Sequence, residues 1–305
     1  MSQSSSAQNA FRKIFHLLRR RERKVLILVP IHRPPTLLHH AINSILKQTE
    51  QNFDVHIICD GAPEATNQAA QAWAERDRRI SAHIMEKGPR HGEIYRDPII
   101  RESKACFVCQ IADDDLWFPD HLEKMEQMLE HADFGHSIQV SVNPDLGIEF
   151  DAQTIATKPA RARMLHERYN MFGPTVAAYR KSAYLELDEG WATTPQDMFT
   201  DLHMWRKFLA NSAVRTAVCN DFTALHFPAV ISQQVDITTR EALMVKMEGL
   251  IASPALLAEL KAKLDDALKR TDRQIPSASS DFQDNAAYVK CNFLEALLNP
   301  MPNSK

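Results

Sequence analysis

Glycine is scarce, with 8 in 305 residues. Neither G-x-G-x-x-G nor G-x-x-x-x-G-K-[ST] occurs, which argues against a dinucleotide-binding turn and against a P-loop. A nucleotide diphosphate bound here would need its charge met by a metal and by arginines. No apolar run approaches the roughly 18–20 residues that span a bilayer. A signal-peptide pattern is also missing, because Arg12, Lys13 and His16 break up the apolar residues near the N-terminus. There is little excess of either charge. The net charge of −3 argues against nucleic acid as the main partner. Cysteines are few and odd in number: Cys59, Cys106, Cys109, Cys219 and Cys291. That favours a reducing, cytosolic setting. Cys106 and Cys109 match C-x-x-C, but inside a predicted strand, where i and i+3 face opposite ways. No second pair completes a zinc site, so both are expected in the core.

What is present is an ordinary globular composition, 44% apolar and 25% charged. Residues 1–24 stand apart as a basic tail. After a polar, Ser-rich start, residues 11–24 carry seven basic residues and one acid. Phe11, Ile14, Phe15 and Leu18 fall at helical spacing. Such a helix can lie on an anionic membrane surface as a peripheral contact. It can equally pack on the main domain with a solvated basic face, and this second reading is preferred.

From residue 25 the pattern alternates strands and helices. Val25–Val29 is a continuous apolar run, as in a parallel strand covered on both faces. Leu37, Leu38, Ala41, Ile42, Ile45 and Leu46 form one helical stripe after Pro34 and Pro35. Strands are predicted at 53–59, 80–84 and 105–111, with helices at 64–77, 94–104 and from Pro119 onward. This order argues for an α/β fold with an open, mostly parallel sheet flanked by helices. The predicted organisation is a tail (1–24), a catalytic-type domain (25–235) and a mainly helical C-terminal region (236–305) with a break at 275–284.

Open α/β sheets bind ligands at the C-terminal ends of their strands. Three polar clusters fall at such ends: Pro30 to Arg33, Asp60-Gly61 and Asp113-Asp114-Asp115. Three adjacent like charges need solvent or a cation, and hard carboxylate oxygens suit Mg²⁺ or Mn²⁺. An acidic loop or a helix N-cap would also account for the triplet alone. Arg90 and Arg96 lie in the loop and helix before it, where they could contact phosphates.

Val25–Arg33, Ala41–Thr49, Phe53–Gly61, Asp113–Asp120 and Thr200–Leu209 together resemble family 2 glycosyltransferases, which have the GT-A fold. The resemblance covers roughly residues 25 to 230. It implies a metal-dependent, inverting transfer of a sugar from a nucleotide-diphospho-sugar, with UDP favoured, to a hydroxyl on a carbohydrate or lipid-linked acceptor. Pro30, His32 and Arg33 would line the base pocket, and Asp60 would accept a hydrogen bond from the base. Arg96 would sit near the diphosphate. Asp114, with Asp113 or Asp115, would hold Mn²⁺ or Mg²⁺. Asp201 would be the general base. His226 would be a late metal or diphosphate ligand, or else a structural histidine. Cell-surface polysaccharide synthesis at the inner face of the membrane fits the family's habits.

Three departures stand out. Ala112 replaces the first aspartate of the usual D-x-D, Cys59 replaces one of two aspartates, and Arg90-His91-Gly92 replaces an asparagine-rich loop. They keep open a catalytically degenerate protein that binds nucleotide or serves as a scaffold. A nucleotidyltransferase is disfavoured because Val29–Pro35 lacks the glycine-rich loop. A haloacid-dehalogenase-like phosphatase is disfavoured because Pro30, not an aspartate, follows the first strand. Arg161, Arg163 and Arg168 read as a solvated face. Trp205 and Phe208 read as core.

Overall fold

The computed structural model describes residues 24–228, 234–272 and 288–298. The basic segment 11–23 and the break at 275–284 lie outside the described residues. Among the described residues, no helix is long and apolar enough to cross a membrane.

The first half follows the alternation in the sequence. Strands β1 (Val25–Ile31), β2 (Phe53–Asp60), β3 (Ile80–Met85) and β4 (Phe107–Gln110) are separated by helices α1 (Leu38–Leu46), α2 (Glu64–Arg76) and α3 (Arg96–Glu102). β1 pairs in parallel with β2 and β4, and β2 pairs in parallel with β3. Val25 to Val29 are all buried because helices cover both faces of a central parallel strand. α1 buries Leu38, Ala41, Ile42 and Ile45, the stripe set by 3.6-residue periodicity.

The second half is built differently. It comprises β5 (Leu116–Trp117), α4 (His121–Leu129), β6 (Phe134–Val142), β7 (Ile148–Asp151), α5 (Lys158–His166), β8 (Ala177–Arg180), α6 (Lys181–Leu185), α7 (Thr200–Ala210) and β9 (Thr216–His226). β8 joins β4 and β6 antiparallel, and β7 pairs antiparallel with β6. β9 runs parallel to β6 and pairs antiparallel with β5. Through this last pairing, the segment just past the aspartates meets the end of β9, where His226 stands. The sheet curls around a core in which Trp205 and Phe208 are fully buried, as the sequence predicts.

The C-terminal region adds α8 (Ile237–Ala252), α9 (Pro254–Asp272), β10 (Tyr288–Cys291) and α10 (Leu294–Leu298). Met244, Met247, Leu250, Leu260 and Leu264 pack with Phe222, Leu225 and Phe227 in one cluster. This helical region therefore shares a core with the sheet. β10 pairs with β7 and extends the sheet edge. Of the cysteine pair, Cys109 is buried but Cys106 is exposed. The strand starts at Phe107, one residue after Cys106, so the core expectation fails for Cys106.

Candidate functional site

β1 and β4 are in register, with Leu28 opposite Gln110, so their trailing residues leave the sheet side by side. Arg33 follows β1 and forks onto Asp113, Nε to Oδ2 and Nη2 to Oδ1, both at 2.8 Å. Its Nη2 also lies 2.7 Å from Asp114 Oδ1. The other Asp114 oxygen accepts from Arg240 Nη2 at 2.6 Å, brought in by α8. Asp115 is completely buried. It accepts from the Thr175 hydroxyl and from the Phe227 N–H at 2.9 Å. His226 Nδ1 stands 3.1 Å from both Asp115 oxygens. The three like charges are thus offset by two arginines and an imidazole from distant segments.

Burial, then the charges of Asp115 and Asp113, pushes the Asp114 carboxyl up to about 7 against Arg33 and His226. For His226, burial opposes the charged ring, but Asp115, Asp114 and Asp201 outweigh it and raise its pKa. For Arg33, burial is opposed by Asp113 and Asp114, and the net direction is upward. The donor set fits a hard divalent cation: adjacent carboxylates and one imidazole at the mouth of a sheet. Asp114 fits such a cation best, since each of its oxygens faces a single arginine that a metal could displace. Asp115 is already held by three neighbours, which suits it to fixing His226.

Asp60, at the end of β2, is buried. Its Oδ1 accepts from the Gly88 N–H at 2.6 Å, and its Oδ2 takes the Lys87 ammonium. The 86–92 loop wraps this carboxylate closely. Gly92 has φ +65°, and a Cβ there would stand 2.3 Å from the Asp60 Cγ. Pro30 is half-buried, and His32 is exposed with its ring 6.5 Å from that of His91. Thr66 ties the turn after β1 to α2 through the Arg33 carbonyl at 2.8 Å.

Arg90 donates to the carbonyls of Gln196 and Met198 at 2.9 and 3.0 Å. It therefore braces the loop before Asp201. Arg96 is buried with its guanidinium 4.4 Å from the Trp191 ring centroid. Its Nε has no hydrogen-bond partner among the described residues. Burial lowers its pKa, opposed by Glu93, Tyr179, Asp201 and Asp60. A buried cation facing carboxylates, with an unused donor, is suited to an anionic ligand.

Asp201 lies in the first turn of α7. Its Oδ2 accepts from Asn170 Nδ2 at 2.8 Å, and its Oδ1 from the Leu202 N–H at 3.1 Å. Burial raises its pKa, and the backbone N–H groups of Leu202 and Asp201, the Asn170 amide and Arg96 only partly offset this. A raised carboxylate suits proton abstraction near neutral pH.

The structure brings Arg33, Asp113, Asp114, Asp115 and His226 together and buries Arg96 where the charges of Glu93, Asp201 and Asp60 act on it. Sequence reasoning missed Arg240, Thr175, Lys87 and Asn170. Lys87 was visible as a cation in a short loop two residues past β3. The other three carry no local signal. Arg161, Arg163 and Arg168 contact Thr216, Glu167 and the Phe199 ring, in keeping with a surface role.

A curled α/β sheet with acidic residues at its strand ends, flanked by ten helices among the described residues, defines a GT-A-type fold. The structure is similar to that of the mannosyltransferase PcManGT of Pyrobaculum calidifontis, solved with GDP-Man and Mn²⁺. The TM-score is 0.51 at 14% identity, over 88% of this chain and 89% of that one. The family model described as glycosyl transferase family 2 matches residues 26–187, more than half of the chain, and the chain belongs to that family. An uncharacterized glycosyltransferase of Rickettsia bellii is 29% identical over 115 residues, 37% of this chain and 16% of that protein. The uncharacterized glycosyltransferase EpsJ of Bacillus subtilis is 32% identical over 56 residues, 18% of this chain and 16% of that protein. The chain spans about a sixth of the length of these two relatives.

Proposed function

We propose that this chain is a metal-dependent, inverting glycosyltransferase that moves a sugar from a nucleotide-diphospho-sugar, UDP-linked in the favoured case, to a hydroxyl acceptor. The observation that carries this reading is the convergence of Arg33, Asp113, Asp114 and His226 at one sheet mouth. Asp114 would hold Mn²⁺ or Mg²⁺, with His226 and Asp113 or Asp115 as its neighbours. When bound, the cation would offset the charge that builds on the leaving diphosphate. Arg96 offers an unused donor to the same diphosphate. Pro30, His32 and Arg33 would line the base pocket, and Asp60 would meet the base once Lys87 yields one of its oxygens.

Asp201 would take the acceptor proton, a role worth about 10²–10⁴ in rate. One base without a protein nucleophile implies a single in-line displacement and inversion at the anomeric carbon. A carbohydrate or lipid-linked acceptor fits a peripheral position at the inner face of the membrane through residues 11–24. Liposome co-sedimentation of the full chain against a chain starting at Lys24 tests that point, and equal partitioning sinks it.

The runner-up is a degenerate nucleotide-binding or scaffolding protein. It is favoured by the arginines already paired to Asp113 and Asp114, and by Ala112 in place of an aspartate. Calorimetric titration with UDP, GDP and their sugar conjugates, with and without Mn²⁺, together with turnover of the best-bound conjugate, separates the two. Metal-dependent binding of one nucleotide, lost in Asp114→Ala, with release of that nucleotide on turnover supports the transferase. Binding without turnover, or no nucleotide binding at all, favours the degenerate protein.

A further inference from the structure

A second cluster of metal-binding side chains lies where α1 meets α8. Ligand atoms of His39, His40 and Glu241 all stand within 4.8 Å of one another. The two imidazoles are neighbours in the first turn of α1, with centroids 3.8 Å apart. Glu241 and Glu248 are both on α8, seven residues apart and so on one helical face. His40 is 2% exposed. Its Nδ1 contacts Glu248 Oε2 at 2.8 Å. Its Nε2 is buried and has no hydrogen-bond partner among the described residues.

An imidazole nitrogen buried without a partner is unfavourable unless something binds it. The arrangement around it resembles that of a ligated histidine. A carboxylate behind Nδ1 fixes the ring and leaves Nε2 as the free donor, the usual support for a metal-bound imidazole. Two imidazoles and one carboxylate suit a borderline divalent ion of the Zn²⁺ class, unlike the all-oxygen shells of Mg²⁺ or Ca²⁺.

We infer that His39, His40 and Glu241 form a second metal site, for a Zn²⁺-class cation, with Glu248 as the positioning carboxylate for His40. The site joins α8 to α1. The residue before Glu241 is Arg240, which reaches Asp114. A cation here therefore fixes the helix end from which Arg240 enters the acidic centre. This inference stands apart from the transferase reading, since none of its ligands belongs to the strand-end aspartates.

The test is Zn²⁺ titration of the full chain after removal of metal with a chelator, by calorimetry and by the visible spectrum of the Co²⁺ form. Asp114→Asn serves as background, so that the acidic centre does not mask the second site. One equivalent of Zn²⁺ is expected in this background, with a Co²⁺ spectrum of mixed nitrogen and oxygen ligation. His39→Ala and Glu241→Gln, both at partly exposed positions, should each weaken it at least about 100-fold, and Glu248→Gln about 10–100-fold. Circular dichroism of the metal-free variants checks that they fold. Zn²⁺ affinity unchanged by His39→Ala and Glu241→Gln, or no Zn²⁺ binding to the Asp114→Asn chain, overturns the inference.

Discussion

The two carboxylate centres of this protein have the same residue type and opposite surroundings. Asp113, Asp114 and Asp115 are held by charged partners: Arg33, Arg240 and His226. Asp201 is held by neutral donors, the Asn170 amide and the Leu202 N–H. Charged partners make a site that exchanges one cation for another. Neutral donors leave a carboxylate whose proton affinity is set by burial, as a general base requires. In the proposed reading, environment, more than residue type, separates the binding centre from the proton-transfer centre.

The comparison breaks most visibly with Asp201→Asn. Loss of the base should lower kcat by about 10²–10⁴-fold while nucleotide and metal affinity stay within a factor of a few. Parallel calorimetry and turnover with the best-bound donor measure both. A variant that loses donor binding in step with activity would place Asp201 in the binding centre instead.

Arg240→Ala probes the other side. Removing the guanidinium that shares Asp114 should strengthen Mn²⁺ binding about tenfold, the scale of one charge-assisted hydrogen bond. The titration is run over a range of pH from 8 upward, since Asp114 lies at about 7 with Arg240 in place and loss of the arginine raises it further. Unchanged or weaker Mn²⁺ binding would mean that Arg240 does not compete for the cation.

The pH profile follows from the raised pKa of Asp201. If Asp201 is the base, as proposed, it acts as carboxylate, so activity is lost as pH falls through its folded-state value. Burial raises that value, so the acid limb of kcat/KM lies above the ordinary carboxylate range. The stability sign is the reverse. Holding the proton more tightly than the unfolded chain does, Asp201 favours folding below its unfolded pKa, and this contribution fades as pH rises through the folded value. An acid limb at the ordinary aspartate pKa would show that a solvated group controls the rate.

The same contrast explains what was legible in the sequence. The parallel half could be read because its signals are local: an apolar run makes β1, a helical stripe makes α1, and the strand ends collect Arg33, Asp60 and the triplet. Some partners of those residues could not be read. Arg240 lies 126 residues from Asp114, and Thr175 lies 60 from Asp115. Their meeting depends on β9 pairing with β5 and on α8 packing over the sheet. Neither event leaves a periodic trace near the residues concerned. The strand Tyr288–Cys291 was hidden for a related reason, since it exists by pairing with Ile148–Asp151 at the sheet edge. Cys106 was misplaced because strand boundaries are the least local part of the pattern.

Asn170→Ala gives the smallest effect and the sharpest discrimination. The Asn170 amide stabilises the charged form of Asp201. Its removal costs the carboxylate about 1 kcal/mol, which is somewhat under one pH unit. The acid limb of kcat/KM should move upward by that amount, while the plateau rate well above the limb changes little. Asp113 and Asp114 have arginine partners that this substitution does not touch, so a limb controlled by the acidic centre would stay in place. A stationary limb, in a variant that still folds and binds donor, would remove Asp201 from the role of base and leave the carboxylates of the triplet as the titrating groups.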